Sequence, residues 1–276
     1  MKVWIQEKGH KGQEVRRIQE TLGGLSVDGE FGKKTEQAVK DYQSDNSLQV
    51  DGRCGPEFRA SLGIEIYAGI DVSHHQGQVD WGKLKSTGLA EFCWVKATEG
   101  NNYLDPKSAK NIKDCRAAGI PVGAYHFARP DLHEDPYKEV KSFAKYCPIE
   151  PGDLRPVMDF ERNGEHSPES LHHWVVEFLV EIEKATGIRP IVYTGGNMVK
   201  YGLNRNTSIL DTYTLWHAAY SKRFRVNGID KSRLGSWDEW RVWQWTGSEH
   251  LDGVKGKIDR NWLTGGQKGF KEIIIP

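Results

Sequence analysis

Eight short apolar runs limit what this chain can fold into. They fall at residues 67–73, 91–97, 121–128, 155–161, 189–194, 214–220, 241–246 and 257–260, and helical stretches at 105–118, 136–146 and Pro168–Thr186 separate the early ones. Strands that alternate with helices are parallel strands joined by crossovers, and eight of them in a domain of about 200 residues point to a closed barrel. The longest helix places Leu171, Trp174, Val175, Phe178, Leu179 and Ile182 on one face, a stripe that must be buried. After the fifth run the helical signal thins and irregular segments join the last three strands. The expectation is an α/β chain with an irregular TIM-like barrel that lacks its late helices. Its chemical groups should sit at the C-terminal ends of the strands.

Residues 1–63 follow a different pattern. Val27-Asp28-Gly29 recurs as Val50-Asp51-Gly52, and Asp-Gly is a tight-turn signal because glycine accepts positive φ. Each turn leads into a helical pattern: Val15, Ile18, Gln19 and Leu22 mark a first helix, Ala38, Val39 and Tyr42 a second, Phe58 and Leu62 a third. Pro56 stands where a first helical position is expected. This predicts a three-helix bundle, then a short linker at 64–66 without a flexible spacer, then the barrel over 67–276.

Charge and cysteine usage exclude several classes. Lys+Arg and Asp+Glu are both 38, and 10 of each fall in residues 1–63. No half of the chain is basic, so binding to nucleic acid or anionic lipid through a global field is not expected. No apolar run approaches the ~20 residues of a membrane span, and the first 15 residues carry no apolar region of a signal peptide. Synthesis in a cytoplasm is therefore expected. Cys54, Cys93, Cys115 and Cys147 form no Cys-X-X-Cys pair, so reduced thiols rather than a zinc site are expected.

Four acids stand at strand ends: Asp71, Asp159, Glu161 and Asp259. A carboxylate in a buried strand is costly unless it has a purpose. Residues i and i+2 of a strand share a face, so Asp159 and Glu161 are expected to face one cavity. Burial and repulsion there favour one protonated and one ionised group, the pair that glycosidic cleavage uses. Trp216, Trp243, Trp245, Tyr125, Tyr193 and Tyr220 lie near predicted strand ends, where flat rings can carry sugar faces or simply fill the core. No His-Glu-X-X-His, phosphate-binding loop or nucleophile elbow is present. His74 and His75, adjacent on an expected strand, would point to opposite faces and not chelate one metal. His126 reads as a hydrogen-bonded structural histidine.

Two resemblances sharpen this reading. Gly9, Gly12, Val15, Ile18-Gln19, Val27 to Thr35 and Val50 to Pro56 resemble the peptidoglycan-binding type 1 domain, which implies wall binding without chemistry. Gly69-Ile70-Asp71-Val72-Ser73-His74-His75-Gln76-Gly77, Val95-Lys96-Ala97-Thr98-Glu99-Gly100, Gly119 to Phe127, Met158-Asp159-Phe160-Glu161, Leu215 to Tyr220, Val242-Trp243-Gln244-Trp245 and Ile258-Asp259-Arg260-Asn261 resemble glycoside hydrolase family 25, the N,O-diacetylmuramidases. That resemblance implies a (β/α)5β3 barrel, Glu161 as general acid, and Asp159, Asp71 and Asp259 in the same site. It implies supporting or substrate-contact positions at Lys96, Glu99, Tyr125, Trp216 and Gln244, to which the strand-end aromatics add Tyr193 and Trp243 as candidate substrate contacts. Phe160 stands where the family usually has an aliphatic residue, and Trp245 where a tyrosine is commoner.

The resulting expectation is a lysozyme that cuts the β-1,4 bond from N-acetylmuramic acid to N-acetylglucosamine, with no metal or organic cofactor. It would work as a monomer on peptidoglycan glycan strands. The combined features resemble a phage endolysin, made in the host cytoplasm and reaching the wall after a holin permeabilises the membrane. The alternatives are a non-catalytic wall-binding protein and a hexosaminidase of chitinase type. Covalent and substrate-assisted retaining routes are both open, and Asp-X-Glu on one strand favours the second.

Overall fold

The computed structural model describes residues 6–11, 13–63, 66–220 and 233–276. They group into two compact units that meet in sequence between Ile66 and Tyr67. The expected linker residues Ile64 and Glu65, and Gly12 of the first motif, lie outside the described residues.

The smaller unit holds α1 (Gln13–Leu22), α2 (Lys33–Asp45) and α3 (Pro56–Ser61) around Val15, Ile18, Phe31, Val39, Cys54 and Phe58. The repeated Asp-Gly turns are built alike. Gln19 is buried, its Nε2 donating to Asp28 Oδ1 at 2.8 Å while its Oε1 accepts from Gly29 N–H at 2.9 Å. Gln43 repeats this on Asp51 and Gly52, both at 2.8 Å. Gly29 and Gly52 have φ of 77° and 72°, the left-handed backbone that the turns require. Asp28 and Asp51 are thus turn residues, each held by a buried amide.

In the larger unit, β1 (Ile66–Val72), β2 (Phe92–Glu99), β4 (Val122–Phe127), β5 (Val157–Asp159), β6 (Ile191–Gly195), β7 (Thr214–Ala218), β8 (Val242–Glu249) and β9 (Ile258–Thr264) form a barrel closed by β1 on both β2 and β9. The two-residue β3 (Tyr103–Leu104) is appended to β2. Neighbours from β1 to β8 are parallel, and β9 runs antiparallel to β8. Outside lie α4 (Trp81–Ser86), α5 (Ser108–Ala117), α6 (Tyr137–Tyr146) and α7 (Pro168–Thr186), with α8 (Gly266–Ile273) at the chain's end. After β6 only a π-helical turn, Met198–Gly202, and a 3-10 turn, Leu210–Thr212, take the place of a full helix. All six residues expected on the apolar face of α7 are buried. Ser167 caps this helix, Pro168 occupies its first turn and Gly187 at φ 72° ends it.

Three expectations need correction. The strand expected at 155–161, β5, ends at Asp159: Phe160 N–H still bonds Tyr193 O at 2.9 Å, but Glu161 lies past the ladder and is exposed. Asp259 lies near the start of its strand rather than the end, and the antiparallel course of β9 carries it to the rim where the parallel strands finish. His74 and His75 belong to a 3-10 turn, His74–Gln76, and their rings lie 4.0 Å apart instead of on opposite faces.

Side-chain alternation divides the core. Ile70, Val72, Cys93 and Val95 face α4 and α5, while Met158, Phe160 and Val192 pack with α6 and α7. Trp94, Val157, Ile191, Trp216 and Val242 fill the barrel. Gly69 pairs in register with Phe92, and a Cβ there would lie 2.2 Å from the Phe92 ring. Gly69→Ala should therefore destabilise the barrel by about 3 kcal/mol through overpacking, lowering its thermal midpoint by about 6–12 °C. Thermal denaturation followed by circular dichroism measures this, and an unchanged midpoint would refute the tight packing described for β1 on β2.

Candidate active site

The alternation that sends Ile70, Val72, Met158 and Val192 outward turns Asp71, Asp159 and Tyr193 inward. At the rim these residues meet Lys96, Tyr125, Phe127, Trp216, Gln244 and Asp259. Together with Ser73, His75, Glu161 and Tyr220 they line a cavity of about 240 Å³. Contributions come from β1, β2, β4, β5, β6, β7, β8 and β9, so closure of the barrel is what assembles the site.

Asp71 is buried and fully engaged on one oxygen. Its Oδ2 accepts from Gln244 Nε2 at 2.9 Å and from Asn261 Nδ2 at 2.7 Å. Gln244 is held in turn, its Oε1 accepting from the Tyr193 and Tyr220 hydroxyls at 2.7 and 2.8 Å. Asn261 Oδ1 accepts from Trp216 Nε1 at 2.9 Å, and the Trp216 ring stacks on Trp94 at 4.6 Å. Burial, with the negative charge of Asp259 second, pushes the Asp71 carboxyl well above the usual range, and the two amides partly oppose this.

Asp159 is handled differently. It is 8 % exposed, and its Oδ1 has no hydrogen-bond partner among the described residues. Burial first, then the charges of Glu161 and Asp71, raise its pKa well above the ordinary carboxylate value, while the Lys96 ammonium works the other way. Two residues on, Glu161 stands in solvent at the cavity mouth. One acid is thus buried with an unused oxygen and its neighbour is open to water. Asp259 is pushed up to about 6 by burial and by Glu161. Its carboxylate fits because residue 247 is glycine: a Cβ there would lie 2.7 Å from Asp259 Oδ1.

Of the residues expected at the site, Asp71, Asp159, Glu161, Asp259, Lys96, Tyr125, Tyr193, Trp216 and Gln244 line this cavity together. Trp243 does not. On β8 it alternates with Gln244, so it points outward, packing on Trp240 and Trp262 and donating Nε1–H to Ala219 O at 2.8 Å. Glu99 lies behind the wall, bound to Lys96 at 2.7 Å. Tyr220, one of the strand-end aromatics, lines the cavity as well. Ser73, His75 and Phe127 line it beyond the residues expected there, and Asn261 joins through its bond to Asp71. Asn261 was open to detection, since it stands two residues from Asp259 on the same strand. His126 is a buried structural residue, bonded to Thr98 Oγ1 at 2.8 Å and Glu139 Oε2 at 2.7 Å. All four cysteines are buried free thiols.

The chain matches the sequence model of the glycosyl hydrolases family 25 over residues 70–254 and that of a peptidoglycan binding domain over residues 11–62. It is 32% identical over 202 residues to the uncharacterized protein YegX of Escherichia coli strain K12, covering 71% of this chain and 69% of that one. It is 29% identical over 211 residues to Lysozyme M1 of Streptomyces globisporus, covering 71% and 67%. The crystal structure of the bacterial lysozyme from Streptomyces coelicolor superposes with a TM-score of 0.65 at 28% identity, over 73% of this chain and 93% of that one.

The raised Asp259 carboxyl makes a signed prediction. Its folded pKa of about 6 exceeds the unfolded value of about 3.9, so ionising it costs more in the folded state. The wild type therefore loses stability from this group as pH rises from about 4 through about 6. Asp259→Asn removes that cost. The variant should be more stable by about 1–2 kcal/mol at pH 7.5, a figure reduced for the partial exposure of the group. The gap should close near pH 4. Thermal unfolding at both pH values checks this, and a gap independent of pH would refute it.

Proposed function

The chain belongs to the glycosyl hydrolases family 25, and from that membership we propose how its cavity carries out the work of a lysozyme. The enzyme is a muramidase that hydrolyses peptidoglycan, and its N-terminal unit is a peptidoglycan binding domain. No helix among the described residues is long and apolar enough to cross a membrane.

The roles of the acids follow from the contrast between Asp159, buried with an unpartnered Oδ1, and Glu161, exposed at the mouth. Glu161 is the general acid. It stands where a glycosidic oxygen leaving the cavity would pass, and it can regain its proton from water. Asp159 binds the sugar's acetamido N–H through its free oxygen, which turns the acetamido carbonyl toward the anomeric carbon. The carbonyl oxygen forms a bond to that carbon as the glycosidic bond breaks, and Glu161 gives its proton to the departing oxygen. The N–H bond favours ionised Asp159 and offsets the burial that raises its pKa. The anion then stabilises the positive charge on the oxazolinium ring. In the second half, Glu161 takes a proton from water as that water attacks the anomeric carbon, the ring opens, and configuration is retained. Asp71, clasped by Gln244 and Asn261, supplies a fixed acceptor at the cavity floor. Tyr125, half-buried in the cavity wall, offers ring surface to the sugar, while the buried Trp216 and Tyr193 back it.

Residues 1–63 then serve as the wall anchor and residues 67–276 as the catalytic domain, the pairing expected of a phage endolysin released onto the wall through a holin lesion. The enzyme acts as a monomer in this role.

Glu161→Gln preserves the shape of the side chain but has no proton to give. It should reduce lysis of cell walls by about 10²–10⁴-fold while wall binding and the thermal midpoint stay as in the wild type. Turbidity clearing of wall suspensions and a pull-down on purified walls measure the two. Residual lysis above about a tenth of wild type would move the acid to another residue.

A further inference from the structure

Lys96 transfers no proton and forms no bond in the reaction assigned to the acids, yet it stands among them. Among the described residues lining the cavity it is the one Lys or Arg, and it shares the space with four carboxylates. A lysine tip on a flexible stem will swing to a nearby buried anion unless something holds it. Even so, Asp159 Oδ1 has no hydrogen-bond partner among the described residues. The ammonium is instead bound 2.7 Å from Glu99 Oε2, and it lies 4.8 Å from the centroid of the Phe127 ring.

The hold continues away from the cavity. The other oxygen of Glu99 accepts from Arg129 Nη1 at 2.7 Å. Arg129 is fixed by a fork, Nε and Nη2 each donating to one oxygen of Asp131 at 2.8 Å. Its backbone N–H bonds Glu139 Oε2 at 3.1 Å, and Glu139 is a fully buried residue of α6 that also binds His126 and His133. Charges alternate along the series Lys96, Glu99, Arg129, Asp131, so each link has an opposite neighbour. The bidentate fork is the geometry that holds a guanidinium in one orientation. Arg129 itself does not line the cavity.

We propose that Arg129 is a positioning residue for the hydrolysis: acting through Glu99, it restrains Lys96 and thereby keeps Asp159 Oδ1 open to substrate. The restraint leaves Lys96 as a through-space positive charge beside the cavity and prevents a direct ion pair with Asp159. This rests on the assignment of Asp159 and Glu161 to the reaction.

A double-mutant cycle on the full chain tests it. Arg129→Met should lower kcat about tenfold, the scale of a small misplacement at a reacting centre, with KM within about twofold. Arg129→Lys, which keeps one charged donor, should recover part of the loss. In a Lys96→Met background, adding Arg129→Met should cause no further fall in kcat, because there is no ammonium left to restrain. Thermal midpoints of all four proteins separate this from a folding effect: a purely structural Arg129 would lower the midpoint and still slow the Lys96→Met enzyme. Losses in kcat that multiply would overturn the proposal. Glu161→Gln measured alongside keeps the two claims apart. Full activity in that variant would remove the reading on which the proposal rests, whereas multiplying losses with an inactive Glu161→Gln enzyme would remove the Arg129 proposal alone.

Discussion

Four carboxylates crowded into one cavity of about 240 Å³ are the constraint to which the rest of the barrel answers. Unscreened, such a cluster would repel itself and resist burial. The fold gives each acid a different environment. Asp71 sits on two amide donors, Asp159 is buried beside one cation with an oxygen left over, Glu161 faces solvent, and Asp259 is partly buried against Gly247. Differences in environment are what allow chemically similar groups to take separate roles.

The supports for these environments reach across the barrel. Asn261 and Gln244 come from the antiparallel pair β8 and β9, yet they serve Asp71 on β1. The reversal of β9 thus has a purpose: a strand entering at the rim presents Asp259 and Asn261 two residues apart on its inner face. Behind the opposite wall, Glu99, Arg129 and Glu139 connect β2, the loop after β4 and α6. The outer helices α6 and α7 meanwhile bury Phe160 between the two acids' backbones, so the aromatic residue at this position contributes to packing and not to the cavity.

Much of this was legible in the sequence because periodicity and turn chemistry are local. The Asp-Gly turns, the buried stripe of α7 and the inward acids of β1 and β5 follow from spacing alone. Alternation also contained the answer for Trp243: with Gln244 inward, its neighbour had to face out, but the richness of the segment in tryptophan obscured this. The short α4 and the terminal α8 have too few turns to register as periodic segments. The direction of β9 is set by its pairing with β8, a long-range fact that no window of residues carries. The partners of Gln244 illustrate the same limit. Tyr193 and Tyr220 lie 51 and 24 residues away, and only the closed barrel brings them together.

The central claim is that Asp159 positions the substrate's own acetamido group and forms no bond to sugar. A chromogenic oligosaccharide carrying a hydroxyl in place of the acetamido on the reacting sugar tests it directly, with intact-protein mass spectrometry after incubation with a matching 2-fluoro compound. The account predicts that nearly all the hydrolysis rate is lost with the hydroxyl compound and that the protein mass stays unchanged with the fluoro compound. A glycosyl adduct on Asp159, Asp71 or Asp259, or an undiminished rate without the acetamido, would contradict it.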